Sequence, residues 1–262
     1  MKPAGTHEPR LSHEQVMLYL PATGTDGTGA GIGPSWTAGS GATVSHPTPS
    51  AGFSTEFRCT RFTSPAAADK HLGVYFSNAD HCCAYLGSAT SRGGFYFRAL
   101  FKVNAIPNNA IRFFCGLSAQ VGTGLCTSNT PPANSVGLWC DDTDSAALSL
   151  MTCNNSGTKT KTALTTPETL TAGRLYEFIM ICNPNQSVVV TQLNNYADTS
   201  GGALGTVLNS QNANTNLPAN TVMMAPQLGL GNAANATGGD CSLDIMSIYL
   251  RPNLKLIPTG TP

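Results

Sequence analysis

The sequence predicts an all-β fold: a two-sheet antiparallel sandwich of jelly-roll character, preceded by an extended N-terminal arm. Three observations predict it. From Phe53 onward, β-rich runs follow one another, with Gly, Pro, Asn, Ser or Thr turns at intervals of about ten residues. Helix signals are sparse. The stretch "GGFYFRALFKV" places Phe95, Phe97, Ala99, Phe101 and Val103 on one face of an extended strand and Tyr96, Arg98, Leu100 and Lys102 on the other. A face that apolar requires an opposing apolar layer, which a second antiparallel sheet supplies.

Taken in order, residues 1–51 read as the arm and 52–262 as the sandwich. The arm's "PATGTDGTGAGIGPSWTAGSGATVSHPTPSAG" is too rich in Gly, Ser, Thr and Pro to bury a core, and its glycines lack the strict three-residue period of collagen. Its one helix signal is "SHEQVMLYL", where Ser12 and Gln15 have capping-box spacing and Pro21 ends the run. So short a helix needs a partner surface. In the sandwich, "FSTEFRCTRF" alternates, "HLGVYFS" is compact and β-rich, and "CCAYLGS" leads into "GGFYFRALFKV". "AIRFFCGLSA", "SVGLWCDD" and "ALSLMTC" follow. "NNSG" then predicts a hairpin into "TKTKTAL", and "NPNQ" a second between "RLYEFIMIC" and "SVVVTQL". Tyr176 to Cys182 is apolar on both faces and reads as a central, doubly covered strand. "MMAPQLGLG" and "CSLDIMSIYL" close the fold.

Composition narrows the function. Charged residues make up 11% of the 262, and the formal net charge is +0, so binding to nucleic acid by bulk charge is not expected. No apolar run reaches the length of about 18 residues that a membrane span needs, and "MKPAGTHEPRLSHEQ" lacks a secretory apolar core. The expectation is a chain made in a cytoplasm, without membrane insertion. Its cysteine content, Cys 9, is high for that compartment, but the thiols are scattered without any C-x-x-C pair, so structural zinc is not expected. Cys115, Cys140, Cys153 and Cys182 lie in apolar strand-like runs and read as small core hydrophobes. Cys59, Cys82 and Cys83 are the candidates for disulfides formed after release from a reducing cytoplasm.

In order and spacing, "GGFYFRALFKV…RFFCGLSAQ…NSVGLWCDDTD…LSLMTCNNSG…LYEFIMICNPN…VVVTQLN…MAPQLGLG…CSLDIMSIYLRPN" resembles a domain at the end of many tailed-bacteriophage virion proteins. These are fibre, spike, baseplate, collar and head-appendage proteins with a concanavalin A-like lectin/glucanase sandwich. The resemblance runs from about Gly93 to Asn253, and with only the arm before it in this sequence a long fibre is not expected. It implies a structural virion protein, homotrimeric, that docks to capsid, collar or tail partners through the arm and displays the sandwich, for host-surface glycan adhesion or particle stabilisation. Arm residues expected to dock are Val16, Leu18, Tyr19, Leu20 and Trp36. The alternatives are a free lectin-like carbohydrate-binding module and a glycan-cleaving enzyme.

The residues argue against the enzyme. Glucanases of this fold place paired carboxyls on alternate positions of one strand, about 5 Å apart. Glu8, Glu14, Glu56, Glu168 and Glu177 have no carboxylate two or four positions away on a strand, so no catalytic residue is assigned. His81 lies between Asp80 and Cys82, but adjacent strand residues point to opposite faces, so activation of the Cys82 thiol is not expected. "CDDTDS" carries Asp141, Asp142 and Asp144 at the end of the strand bearing Trp139. It reads as a turn whose carboxylates bond nearby backbone, with a Ca²⁺ loop as the alternative, and Trp139 as a core residue, with sugar stacking as the alternative. No other cofactor is expected.

Overall fold

The computed structural model describes residues 17–19, 36–37, 42–47, 59–76, 84–87, 93–107, 110–120, 126–184, 186, 188–196, 206–233 and 240–252. Every regular element among them is a strand. In chain order these are β1 (Met17–Tyr19), β2 (Trp36–Thr37), β3 (Thr43–Ser45), β4 (Thr60–Thr63), β5 (His71–Phe76), β6 (Phe95–Ala105), β7 (Ile111–Ser118) and β8 (Ser135–Cys140). They continue as β9 (Ser149–Cys153), β10 (Lys159–Ala163), β11 (Leu175–Cys182), β12 (Val189–Tyr196), β13 (Thr206–Ala213), β14 (Ala225–Asn232) and β15 (Ser242–Pro252).

They form two antiparallel sheets. The larger has the order β13-β12-β11-β6-β15-β4-β3, with β1 also on β15; the smaller runs β10-β9-β8-β7-β14-β5-β2. Strand β15 crosses from one neighbour to the next along its length: Ser242–Ile245 pair with β4, and Ile248–Leu250 with β1. The fold is therefore the jelly-roll sandwich that the alternation of "FYFRALFKV" predicted.

The inner faces build one core. Phe95, Phe97, Ala99, Phe101 and Val103 of β6 meet Phe113, Cys115 and Leu117 of β7 and Val136 and Leu138 of β8, all buried. The Phe101 ring lies 5.4 Å from Phe113 across the sandwich and 5.5 Å from Tyr176 on the neighbouring strand. Each such ring contributes about 1.5–3 kcal/mol by leaving water. Strand β11 is central, between β6 and β12, as expected, but it is covered on one face only: Ile179 and Ile181 on its outer face are partly exposed, because nothing among the described residues packs over them. Both hairpins form, β9–β10 across "NNSG" with Gly157 at φ 74°, and β11–β12 across "NPNQ". Cys115, Cys140, Cys153 and Cys182 are buried, as their apolar contexts indicated.

Part of the arm differs from expectation. Met17–Tyr19 forms a strand on β15 where the capping pattern predicted a helix, because a ready sheet partner outweighs the weak propensity of two isolated turns. Strands β2 and β3 likewise pair with β5 and β4. Leu18, Tyr19 and Trp36 thus pair through their backbones with the chain's own sheets; Val16 and Leu20 lie outside the described residues.

The smaller sheet has a second apolar layer on its outer face. Phe114, Trp139, Met151 and Cys153 form a cluster there with Cys126 of the β7–β8 connection, which passes over the sheet. Cys126 closes the cluster because glycines leave room for it: its Sγ would lie 3.3 Å from a Cβ on Gly229. Buried Arg112 clamps this covering segment. Its Nε donates to Asn129 at 2.9 Å, and its Nη1 donates to the Thr127 carbonyl at 2.9 Å and to Asp69 at 2.8 Å. Gly116 and Gly137 face each other across β7 and β8, and a Cβ on Gly137 would collide with the Cys115 carbonyl. Gly137→Ala is expected to lower stability by about 1–3 kcal/mol through overpacking, read from the midpoint of chemical denaturation; an unchanged midpoint would show that the strands part freely there.

Candidate functional site

The loop after β8 is an internally satisfied turn. Asp141 accepts hydrogen bonds from the Thr143 backbone at 3.1 Å, from the Thr143 hydroxyl at 2.5 Å and from Lys161 Nζ at 2.5 Å. Asp144 accepts from the Asp141 backbone at 2.8 Å and from Lys161 Nζ at 2.7 Å. Asp142 accepts from Arg112 at 3.3 Å and from Asn129. The Lys161 ammonium thus stands between the carboxylates that a Ca²⁺ ion would have to bridge, and no group of three potential ligands gathers among the described residues. The bonds within the turn are those of the backbone-bonded reading. Trp139 offers no face for a sugar to stack on. Its ring is fully buried, packed edge-on to Phe114 at 6.3 Å.

Cys59 is a buried free thiol, and Cys82 and Cys83 lie outside the described residues. Burial pushes the thiols of Cys59, Cys126 and Cys241 up to about 12, so none of these is a nucleophile at neutral pH.

The outer face of the larger sheet is different in kind. Because β6 buries its apolar phase, Tyr96, Arg98, Leu100 and Lys102 point outward, and register extends the pattern sideways. One row runs Arg251, Tyr96, Ile181, Val190 across β15, β6, β11 and β12; the next runs Tyr249, Arg98, Ile179, Gln192; a third runs Ser247, Leu100, Glu177, Asn194. In the first two rows every side chain is at least partly exposed. The Tyr96 and Tyr249 rings meet edge to face at 5.8 Å beside Arg98.

Beneath these side chains lies a buried polar network. Glu177 accepts Arg98 Nε at 2.5 Å, Asn194 Nδ2 at 2.8 Å and the Tyr196 hydroxyl at 2.8 Å. Burial pushes the Glu177 carboxyl up, but the hydrogen bonds from Tyr196, Asn194 and Arg98 outweigh it and leave it below its ordinary value. Further along the face, Arg61 grips Asp244 in a bidentate pair at 2.7 and 2.8 Å. The result is a half-exposed aromatic and aliphatic surface with an oriented guanidinium at its centre. Such a surface can stack on a ring and donate hydrogen bonds from a fixed position. The sequence shows that Tyr96 and Arg98 share a face; that Glu177, Asn194, Tyr196 and Tyr249 join them follows only from strand order and register.

No family model matches the sequence, and no curated protein matches it. Solved structures match the fold. A protein of unknown function from Shewanella oneidensis MR-1 is 12% identical, with 91% of this chain and 86% of that one covered and a TM-score of 0.58. Peanut lectin, solved with a nine-residue peptide, is 12% identical over 92% of this chain and 98% of its own, with a TM-score of 0.53. A carbohydrate esterase of the Shiga toxin-encoding bacteriophage phi24B is more distant, at 14% identity and a TM-score of 0.41 over 82% of this chain and 88% of that one. With the two-sheet topology, the first two likenesses establish a concanavalin A-like jelly roll and extend to the fold alone.

Acid should act on the Asp141 turn. Burial pushes its carboxyl up, but the bonds from Lys161 and Thr143 together bring it from its ordinary 3.8 down to about 2. A depressed carboxyl adds stability that is present above its unfolded value and lost as pH falls through its folded one. Asp141→Asn is therefore expected to flatten the stability loss between pH 3.8 and about 2, measured by denaturation at stepped pH. An acid limb unchanged by the substitution would count against the Lys161 clamp.

Proposed function

We propose that this protein is a non-catalytic glycan-binding jelly roll, displayed on a bacteriophage virion as a collar, tail or head appendage, with the outer face of its larger sheet as the binding surface. The observation that carries the binding reading is the Tyr96, Arg98, Tyr249 group, partly exposed and held from below by Glu177. Sugars present apolar ring faces edged with hydroxyls, and half-exposed aromatics beside fixed donors meet both. Glu177 favours binding over hydrolysis. A general acid for glycoside cleavage needs a raised pKa, and this carboxyl, tied to an arginine, an asparagine and a tyrosine, moves the other way. The fold shared with a lectin agrees with the reading.

The virion setting, the homotrimer and docking through the N-terminal segment are supported by the resemblance of the strands from Gly93 to Asn253 to phage appendage domains. A free lectin-like module is the second reading, favoured by the way β1, β2 and β3 complete this chain's own sheets. Light scattering on the purified protein separates them: a trimer supports the appendage, and a monomer with no affinity for any virion component supports the free module. For the shared core of both readings, Tyr96→Ala and Tyr249→Ala are expected to weaken glycan binding about tenfold each without changing the thermal midpoint by more than a few degrees. Full affinity in both variants would move the site elsewhere.

A further inference from the structure

Two ion pairs stand on the outer face of the larger sheet, Arg61 with Asp244 and Arg98 with Glu177. Position separates the partners. The Glu177 side chain is 10% exposed and that of Asp244 4%, whereas that of Arg98 is 43% exposed and that of Arg61 35%. The carboxylates are therefore sunk in the sheet, and their arginines stand outward of them.

Arg98 is the best placed of these groups. It uses only Nε on Glu177, and its two terminal nitrogens have no partner among the described residues. The bond to Glu177 fixes the guanidinium plane, so its outer edge is a preorganised pair of parallel donors. Tyr249 stands directly opposite Arg98 on β15, and Tyr96 lies two residues before it on the same face. Flat rings beside an oriented, unspent guanidinium edge match a sugar ring that bears a carboxylate.

We infer that this face selects acidic glycans, those carrying uronate, sialate or pyruvate carboxylates, by bidentate contact from Arg98 with the sugar ring laid against Tyr96 and Tyr249. The inference rests on the glycan-binding reading above and adds the ligand's charge to it. The contact is an ion pair at a half-exposed guanidinium, which makes binding salt-sensitive.

The test is an array of neutral and carboxylate-bearing glycans probed with the full-length protein. The tightest ligand is then compared with a copy whose carboxyls have been reduced to alcohols. Binding confined to acidic glycans, lost on reduction of the carboxyls and weakened at least about tenfold in Arg98→Gln, is the expected result. Arg98→Lys keeps the charge without the fork and should fall in between. If Arg98→Gln does not fold, the comparison of native and carboxyl-reduced ligand decides in its place. Neutral glycans bound as well as acidic ones, with loss in Tyr249→Ala and none in Arg98→Gln, would overturn the acidic preference and leave the glycan face standing. Binding of dextran sulfate equal to that of the acidic glycans, unaffected by Arg98→Gln, would reduce the effect to bulk charge and overturn it too. No glycan bound in either class would overturn both readings.

Discussion

The contact of the Phe101 ring with Phe113 across the sandwich and with Tyr176 beside it locks the phase of β6. Side chains alternate with a period of two, so burying this ring commits every other residue of the strand. A slip by one position would drive Arg98 and Lys102 into the apolar core and turn a row of phenylalanines to water, at a cost far above the total stability of most domains. The ladders to β11 and β15 pass the same phase to their neighbours. The outward rows of tyrosine, arginine and isoleucine are thus a necessary counterpart of the core, and the polar face stays fixed as long as the core is intact.

The two outer faces are put to different ends. That of the smaller sheet is closed by the β7–β8 connection, with Arg112 bonded to Asp69, Thr127, Asn129 and Asp142 from different parts of the chain. Removing one partner from such a buried ion leaves the others uncompensated, so the covering segment and the turns around it hold together as a unit. The outer face of the larger sheet keeps its central rows partly exposed. One side of the sandwich is covered over its centre and the other keeps its central rows partly exposed, which gives the domain a direction.

What was legible in the sequence was what period and turn chemistry encode locally. The phase of "FYFRALFKV", the central place of "LYEFIMIC", the hairpins at "NNSG" and "NPNQ" and the buried strand cysteines all follow from neighbours within one or two turns of chain. Trp139 shows where this ends. Alternation sets it on the outer face, opposite in phase to Leu138 and Cys140, and among the described residues it is the return of Cys126 over the sheet that closes the cluster around it. The pairing of Arg98 with Glu177 spans 79 residues and depends on strand order, which no local pattern states. Met17–Tyr19 had a sound capping signal for a helix; a distant strand, β15, offered its backbone a full ladder instead.

The buried thiols lead to a practical consequence. Cys115, Cys140, Cys153 and Cys182 lie in four different strands, β7, β8, β9 and β11, each sealed from water. A sulfur in that position behaves as hydrocarbon until its strand leaves the sheet, and only then can it react. The chain therefore carries its own set of clocks. The order in which an alkylating reagent reaches those positions would be the order in which the sandwich comes apart, recorded strand by strand without adding any label.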